Sequence, residues 1–118
     1  MKEKPRIVRV YVAGPYSVGD KRTNAIDALN HGNILMDAGM MPFVPHLTHW
    51  WDEVCPGREY GEWLAWDLAW LPFCNALLRL PGPSLGADLE VLKAEEWSLP
   101  IYSDTATLIQ DYNQGNLG

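Results

Sequence analysis

The chain has 118 residues, 47% of them hydrophobic, which is enough for one core and so for a single domain over residues 1–118. A formal net charge of −6 argues against polymeric nucleic acid as a partner, because binding a long polyanion needs a basic surface. No apolar run approaches the roughly 20 residues that span a bilayer, MKEKPRIVRV lacks the apolar centre of a signal peptide, and the two cysteines suit a reducing compartment, so a cytoplasmic protein without membrane association is expected.

Residues 7–13 (IVRVYVA) are β-branched and apolar and predict the first strand, broken by Gly14-Pro15-Tyr16-Ser17. Residues 20–38 predict a helix with Ile26, Leu29, Gly32, Leu35 and Met36 along one face and Gly39 ending it. Residues 41–44 (MPFV) predict a second strand. Residues 46–59 (HLTHWWDEVCPGRE) read as an irregular, polar-aromatic loop, and residues 60–71 as a helix stopped by Pro72. A third strand follows over 75–80, a helix over 85–97, a short strand over 100–102 and a last helix over 105–112, with the tail NQGNLG loose or docked on a neighbour. Strands alternating with helices predict a single-domain α/β three-layer sandwich with a mainly parallel, flavodoxin- or Rossmann-like sheet of four or five strands. The expected order 2-1-3-4 puts the topological switch between strands one and three, where ligands bind at the strands' carboxyl ends. The loops there are 14–17 and 81–90.

The second loop holds the densest chemistry. Ser84 precedes a helix and can cap it, or its hydroxyl and the free first-turn amides can hold a phosphate oxygen. Gly86 lets a ligand approach the backbone, and Glu90 lies six residues after Ser84. Asp67 shares a helical face with Trp63 and Trp70. It is either a surface carboxylate or a partly desolvated one whose raised pKa suits a general acid. His46-x-x-His49 with Asp52, Glu53 and Cys55 superficially resembles a metal cluster, but no H-E-x-x-H or C-x-x-C spacing supports it, so no metal is expected. His46 is placed at the rim of a pocket and Trp50 beside it as a surface for a planar ring. Tyr11 alternates with Val10 and Val12, either as an ordinary sheet residue or with its hydroxyl at the switch point. The chain has no P-loop and no G-x-G-x-x-G, which removes the ATPase and dinucleotide-fold dehydrogenase readings.

Taken in order, VYVAGPYS, GMMPFVPHL and WDLAWLPFCNALLRLPGPSLGADLEVLKA resemble the nucleoside 2-deoxyribosyltransferase superfamily, especially its small 2′-deoxynucleoside 5′-monophosphate N-hydrolase branch. The likeness runs over about residues 7–102, and D-L-x-x-L followed by S-x-G-x-x-x-E is its most specific part. It implies Glu90 as nucleophile at the anomeric carbon, Asp67 as acid/base for the leaving base, Tyr11 as the hydroxyl orienting Glu90, and no cofactor. It also implies that Ser84, where relatives acting on unphosphorylated nucleosides carry an acid, favours a 5′-phosphate. Gly14, Tyr16, Ser17, His46, Trp50, Ser84 and Gly86 are then the substrate-binding residues, with Arg22 assisting at the phosphate. The partner is a nucleoside 5′-monophosphate or a nucleoside. Many relatives have Cys-Asp where this chain has Cys74-Asn75, either a structural exchange or a loss of activity. Base transfer in place of hydrolysis, or a silent nucleotide sensor, are the alternatives. Trp63, Trp66 and Trp70 put more aromatic area on one helix than a buried face readily uses, so a homodimer or higher homo-oligomer is expected.

Overall fold

The computed structural model describes residues 6–117. Residues 1–5, half of the stretch read for a signal peptide, and Gly118 lie outside the described residues. Four strands, β1 (Arg9–Ala13), β2 (Met41–Phe43), β3 (Ala76–Arg79) and β4 (Ile101–Tyr102), form one all-parallel sheet in the order β2-β1-β3-β4. The helices are α1 (Lys21–Asp37), α2 (Thr48–Val54), α3 (Tyr60–Trp70), α4 (Leu85–Glu96) and α5 (Thr105–Asn113). This is the expected α/β sandwich with the expected strand order.

One face of the sheet presents Val8, Val10, Val12, Ala76, Leu78 and Leu80 to α1 and α5, closing a wholly apolar cluster with Leu35 and Leu108. The buried stripe of α1 is Ala25, Ala28, Gly32 and Leu35; Ile26 and Met36, expected in it, are exposed. Small residues win because the helix lies close to the sheet: a Cβ on Gly32 would meet Val44 Cγ2 at 2.9 Å. Asp20 starts α1 by accepting the Thr23 amide at 3.0 Å, and Gly39, at φ +103°, follows the Ala38 cap. The other face presents Tyr11, Ala13 and Leu77 to Leu68 and Leu71 at the end of α3 and to Ala87, Val91 and Ala94 of α4.

Two expectations fail here. The 46–59 loop contains a 3-10 turn, Pro45–Leu47, and then α2. Pro45 starts the turn with its fixed φ, and Thr48 Oγ1 donates to the Pro45 carbonyl at 2.9 Å. None of α2's residues is buried; it is held by Trp51, whose ring meets those of Trp63 and Trp66 edge-on at 5.2 and 5.7 Å. The tail is neither loose nor docked elsewhere. Leu117 is buried in the α1/α5 cluster, and Arg6 donates to its carbonyl at 2.6 Å.

Candidate active site

The loops after β1, β2 and β3 open together at the carboxyl end of the sheet. The turn after β3 touches the loop after β1 so closely that a Cβ on Gly82, itself at φ +114°, would sit 2.8 Å from Pro15 Cγ. Arg79, the last residue of β3, holds that turn by donating to the carbonyls of Leu80 and Gly82 and to Asp88 Oδ1 at 2.9 Å. Asp88 of the conspicuous S-L-G-A-D-L-E run is thereby committed to an ion pair. Glu90, two residues on, is left without one.

Glu90 is 7% exposed, and it shares a cavity of about 580 Å³ with Asp67. Of the sequence-predicted residues, Gly14, Tyr16, Ser17, His46, Ser84 and Gly86 also line it. Burial pushes the Asp67 carboxyl up to about 7 and that of Glu90 up to about 8, because an apolar surround disfavours the charged form. Asp67 Oδ1 and Glu90 Oε2 are buried without a protein partner, as is Tyr11 Oη. Each orphan of this kind costs about 1–3 kcal/mol, so a fold that keeps two such carboxyl oxygens on one cavity calls for a functional reason. Tyr11 is fully buried in the sheet face covered by α4 and does not line the cavity.

Ser84 caps α4, its Oγ accepting the Ala87 amide at 3.0 Å. The Ser84 O–H and the first amides of the helix remain as donors at the cavity wall. Residues 82–86 also match the G-x-S-x-G spacing of a nucleophile elbow, which requires a strained turn and a base beside the Ser. Ser84 has neither: its backbone is extended (φ −163°), and its Oγ hydrogen-bonds the Ala87 amide and no basic side chain. Gly86 does receive a close approach, but from Tyr60, whose Oη would be 2.9 Å from an added Cβ.

His46 donates from Nε2 to the carbonyls of Gly14 and Pro15 at 3.2 and 3.1 Å, tying the turn after β2 to the loop after β1. Its pKa is lowered, chiefly by burial, so it is a neutral strut. His49 turns elsewhere, to Tyr16 and Glu53; among the described residues no three His, Cys, Asp or Glu side chains converge on a metal position.

Trp50 and Arg22 do not line the cavity. Trp50 packs edge-on against the His49 ring at 5.0 Å, because α2 turns it behind that histidine. Arg22 lies one residue too far round α1, where Lys21 takes the cavity position. Asn75 is also remote: its Oδ1 accepts the Arg9 amide at 2.7 Å at the start of the sheet, a structural bond that needs no charge. Sequence reasoning missed Lys21, Asp52, Arg58 and Tyr60 as lining residues. Arg58 and Tyr60 flank the start of a helix one turn before Trp63 and Asp67, which was the available signal.

A parallel Rossmann-like sheet with one buried and one half-buried acid where its strands end has the doubly wound α/β arrangement, in which small molecules bind at that place. No protein-family model and no curated protein matches the chain. Among solved structures, it is similar to a 2-desoxiribosyltransferase from Leishmania mexicana, with a TM-score of 0.59 and 15% identity over 80% of this chain. It is also similar to a 2-deoxyribosyltransferase from the psychrotolerant bacterium Bacillus psychrosaccharolyticus, with a TM-score of 0.55 and 19% identity, again over 80% of this chain. The latter is described as a biocatalyst for synthesis of antiviral and antitumoral nucleosides. The matches span 61% and 69% of those two chains. At these identities the likeness shows a shared fold.

Proposed function

We propose that this chain is an N-glycosidase that hydrolyses the base–sugar bond of a (deoxy)nucleoside 5′-monophosphate. The observation that carries the reading is that Asp67 and Glu90, from two different helices, line one cavity and are buried without ionic partners. Glu90 attacks C1′ as the C1′–N bond breaks, and the bonding pair leaves with the base, which takes a proton from Asp67. Asp67 then removes a proton from water, the water oxygen attacks C1′, and Glu90 departs as carboxylate, the retaining logic of two-carboxylate glycosidases. Chemistry therefore needs the pair singly protonated with Glu90 ionised, the minor arrangement of that proton while the Glu90 carboxyl, at about 8, is a weaker acid than Asp67, at about 7. The Ser84 hydroxyl and the α4 amides suit a phosphate, helped by Lys21 and Arg58 on the cavity wall. A panel of nucleosides and their 5′-monophosphates assayed for free base tests the reading, with Glu90→Ala as the inactive control. Faster cleavage of the nucleosides would overturn the role given to Ser84, and no release from any member would overturn the activity.

The fold shared with two 2-deoxyribosyltransferases favours a second reading, in which a free base instead of water takes the sugar from Glu90. A new nucleotide formed on adding a different base identifies that activity. Self-association is part of the same proposal. Trp70 and Phe73 are 48% and 70% exposed beside Met41 of the edge strand β2, an apolar patch suited to a homodimer, checked by light scattering. No helix among the described residues is long and apolar enough to cross a membrane, and the cytoplasm is the setting this reading assumes.

A further inference from the structure

Neither carboxylate explains the Tyr16–His49–Glu53 chain on the opposite wall. Tyr16 lines the cavity with Lys21 over its ring at 5.7 Å. Its Oη is 2.7 Å from His49 Nδ1. The other ring nitrogen, Nε2, stands 3.1 Å from Glu53 Oε1, off the axis of an ideal N–H bond. The loop that carries Tyr16 is fixed to α1 by Asn24, which donates to the Tyr16 and Val18 carbonyls at 2.9 and 2.8 Å. Trp50 closes the His49 ring from the side.

The proton positions follow from charge. A nitrogen lone pair facing a carboxylate at 3.1 Å would be repelled, so Nε2 carries the hydrogen. A ring whose one hydrogen is on Nε2 leaves Nδ1 as an acceptor, and only Tyr16 can then donate between the two. Burial, aided by the charges of Asp52 and Glu53, pushes the Tyr16 phenol above its ordinary value, so the O–H stays intact. With its hydrogen turned to His49, Tyr16 Oη has only lone pairs to offer the cavity, and Asp52 beside it is likewise acceptor-only. Donors come to the cavity instead from Ser84 and the first amides of α4.

We propose that His49 and Glu53 are positioning residues that make Tyr16 an obligate acceptor, and that Tyr16 with Asp52 selects a nucleobase bearing an exocyclic amino group over its oxo counterpart. The inference rests on the nucleotide reading above and adds to it the class of base. An amino group donates to both acceptors, whereas a carbonyl at the same position would set lone pairs against lone pairs. Sites built around one hydrogen-bond polarity discriminate in this way.

The test is calorimetric binding to the Glu90→Gln protein, which keeps substrate intact, using dCMP against dUMP and dAMP against dIMP. The amino member of each pair should bind about tenfold tighter. Tyr16→Phe and His49→Leu should level each pair, and His49→Asn, whose Oδ1 can replace Nδ1 as acceptor, should restore the preference. Equal binding within both pairs, or a preference untouched by Tyr16→Phe, overturns the inference and leaves the glycosidase reading standing. Equal weakening of both members by Tyr16→Phe places the donor on the sugar and overturns the base assignment. Failure of every nucleotide to bind overturns both readings. A ligand-free check is the nitrogen-15 spectrum of His49, where a hydrogen on Nδ1 of the neutral ring would also overturn it.

Discussion

The two faces of one sheet have been put to different uses. Between β1, β3, α1 and α5 every buried side chain is apolar, from Val10 and Val12 to Leu35 and Leu108. On the α3/α4 side, the layer holding Tyr11, Ala13 and Leu77 borders two carboxylic acids buried where water cannot readily solvate their charges. The first face is organised for cohesion, and the second gives some up to hold reactive groups. Sequence alternation alone separates them: in V-Y-V-A the valines face α1 and α5, and Tyr11 and Ala13 face α3 and α4.

This contrast can be broken in order of expected effect. Glu90→Gln should cut base release by roughly 10³-fold or more while leaving the fold intact, since it removes the covalent step; single-turnover assay of free base checks it. Leu35→Ala, in the cohesive face, should do the reverse, lowering stability by about 2–5 kcal/mol in chemical denaturation and leaving the cavity chemistry unaltered in the fraction still folded.

Stability against pH comes next. Asp67 and Glu90 are raised from 3.8 and 4.5 to about 7 and about 8. Between about pH 4 and 8 the folded chain therefore binds more protons than the unfolded one, and stability falls as pH rises through that window. At about 1.4 kcal/mol per pKa unit, the loss is on the order of 4–5 kcal/mol for each acid. Asp67→Asn and Glu90→Gln should flatten the slope and be more stable than the parent at pH 8, as thermal melts at pH 5 and 8 would show. The same two values predict a bell-shaped kcat/KM centred between about 7 and 8, the range where one proton is shared by the pair. A flat profile from pH 5 to 9 would contradict that assignment. The smallest effect is Ser84→Ala: loss of the α4 cap should cost about 1 kcal/mol and weaken monophosphates more than nucleosides.

Strand order and most helix limits were legible because they depend on local patterning, such as Pro72 ending a helical run or Asp20 three residues before Thr23. Glu90 and Asp67 were legible through their spacing within two motifs. What was hidden depends on partners far along the chain. α2 has seven residues and no buried one, so its amphipathic signal is weak, and it is held by distant partners, Trp63, Trp66 and Tyr16. Trp50 looked like a stacking surface until α2 turned it toward His49. Tyr60 and Lys21 reach the cavity by the packing of loops, which no periodicity encodes. Leu117 looked like part of a polar tail because its apolar neighbours lie on β1 and α5.

The Arg79 clamp ties the turn after β3 to the strand before it and to the helix after it. Swinging the 81–83 turn outward would break the Arg79 hydrogen bond to the Gly82 carbonyl and the close packing of Gly82 on Pro15. α2 is held differently, by the aromatic edges it shares with α3 and by the His49–Tyr16 hydrogen bond. The turn that precedes α4 is thus braced from two sides, by Arg79 of β3 and by Pro15 of the loop after β1.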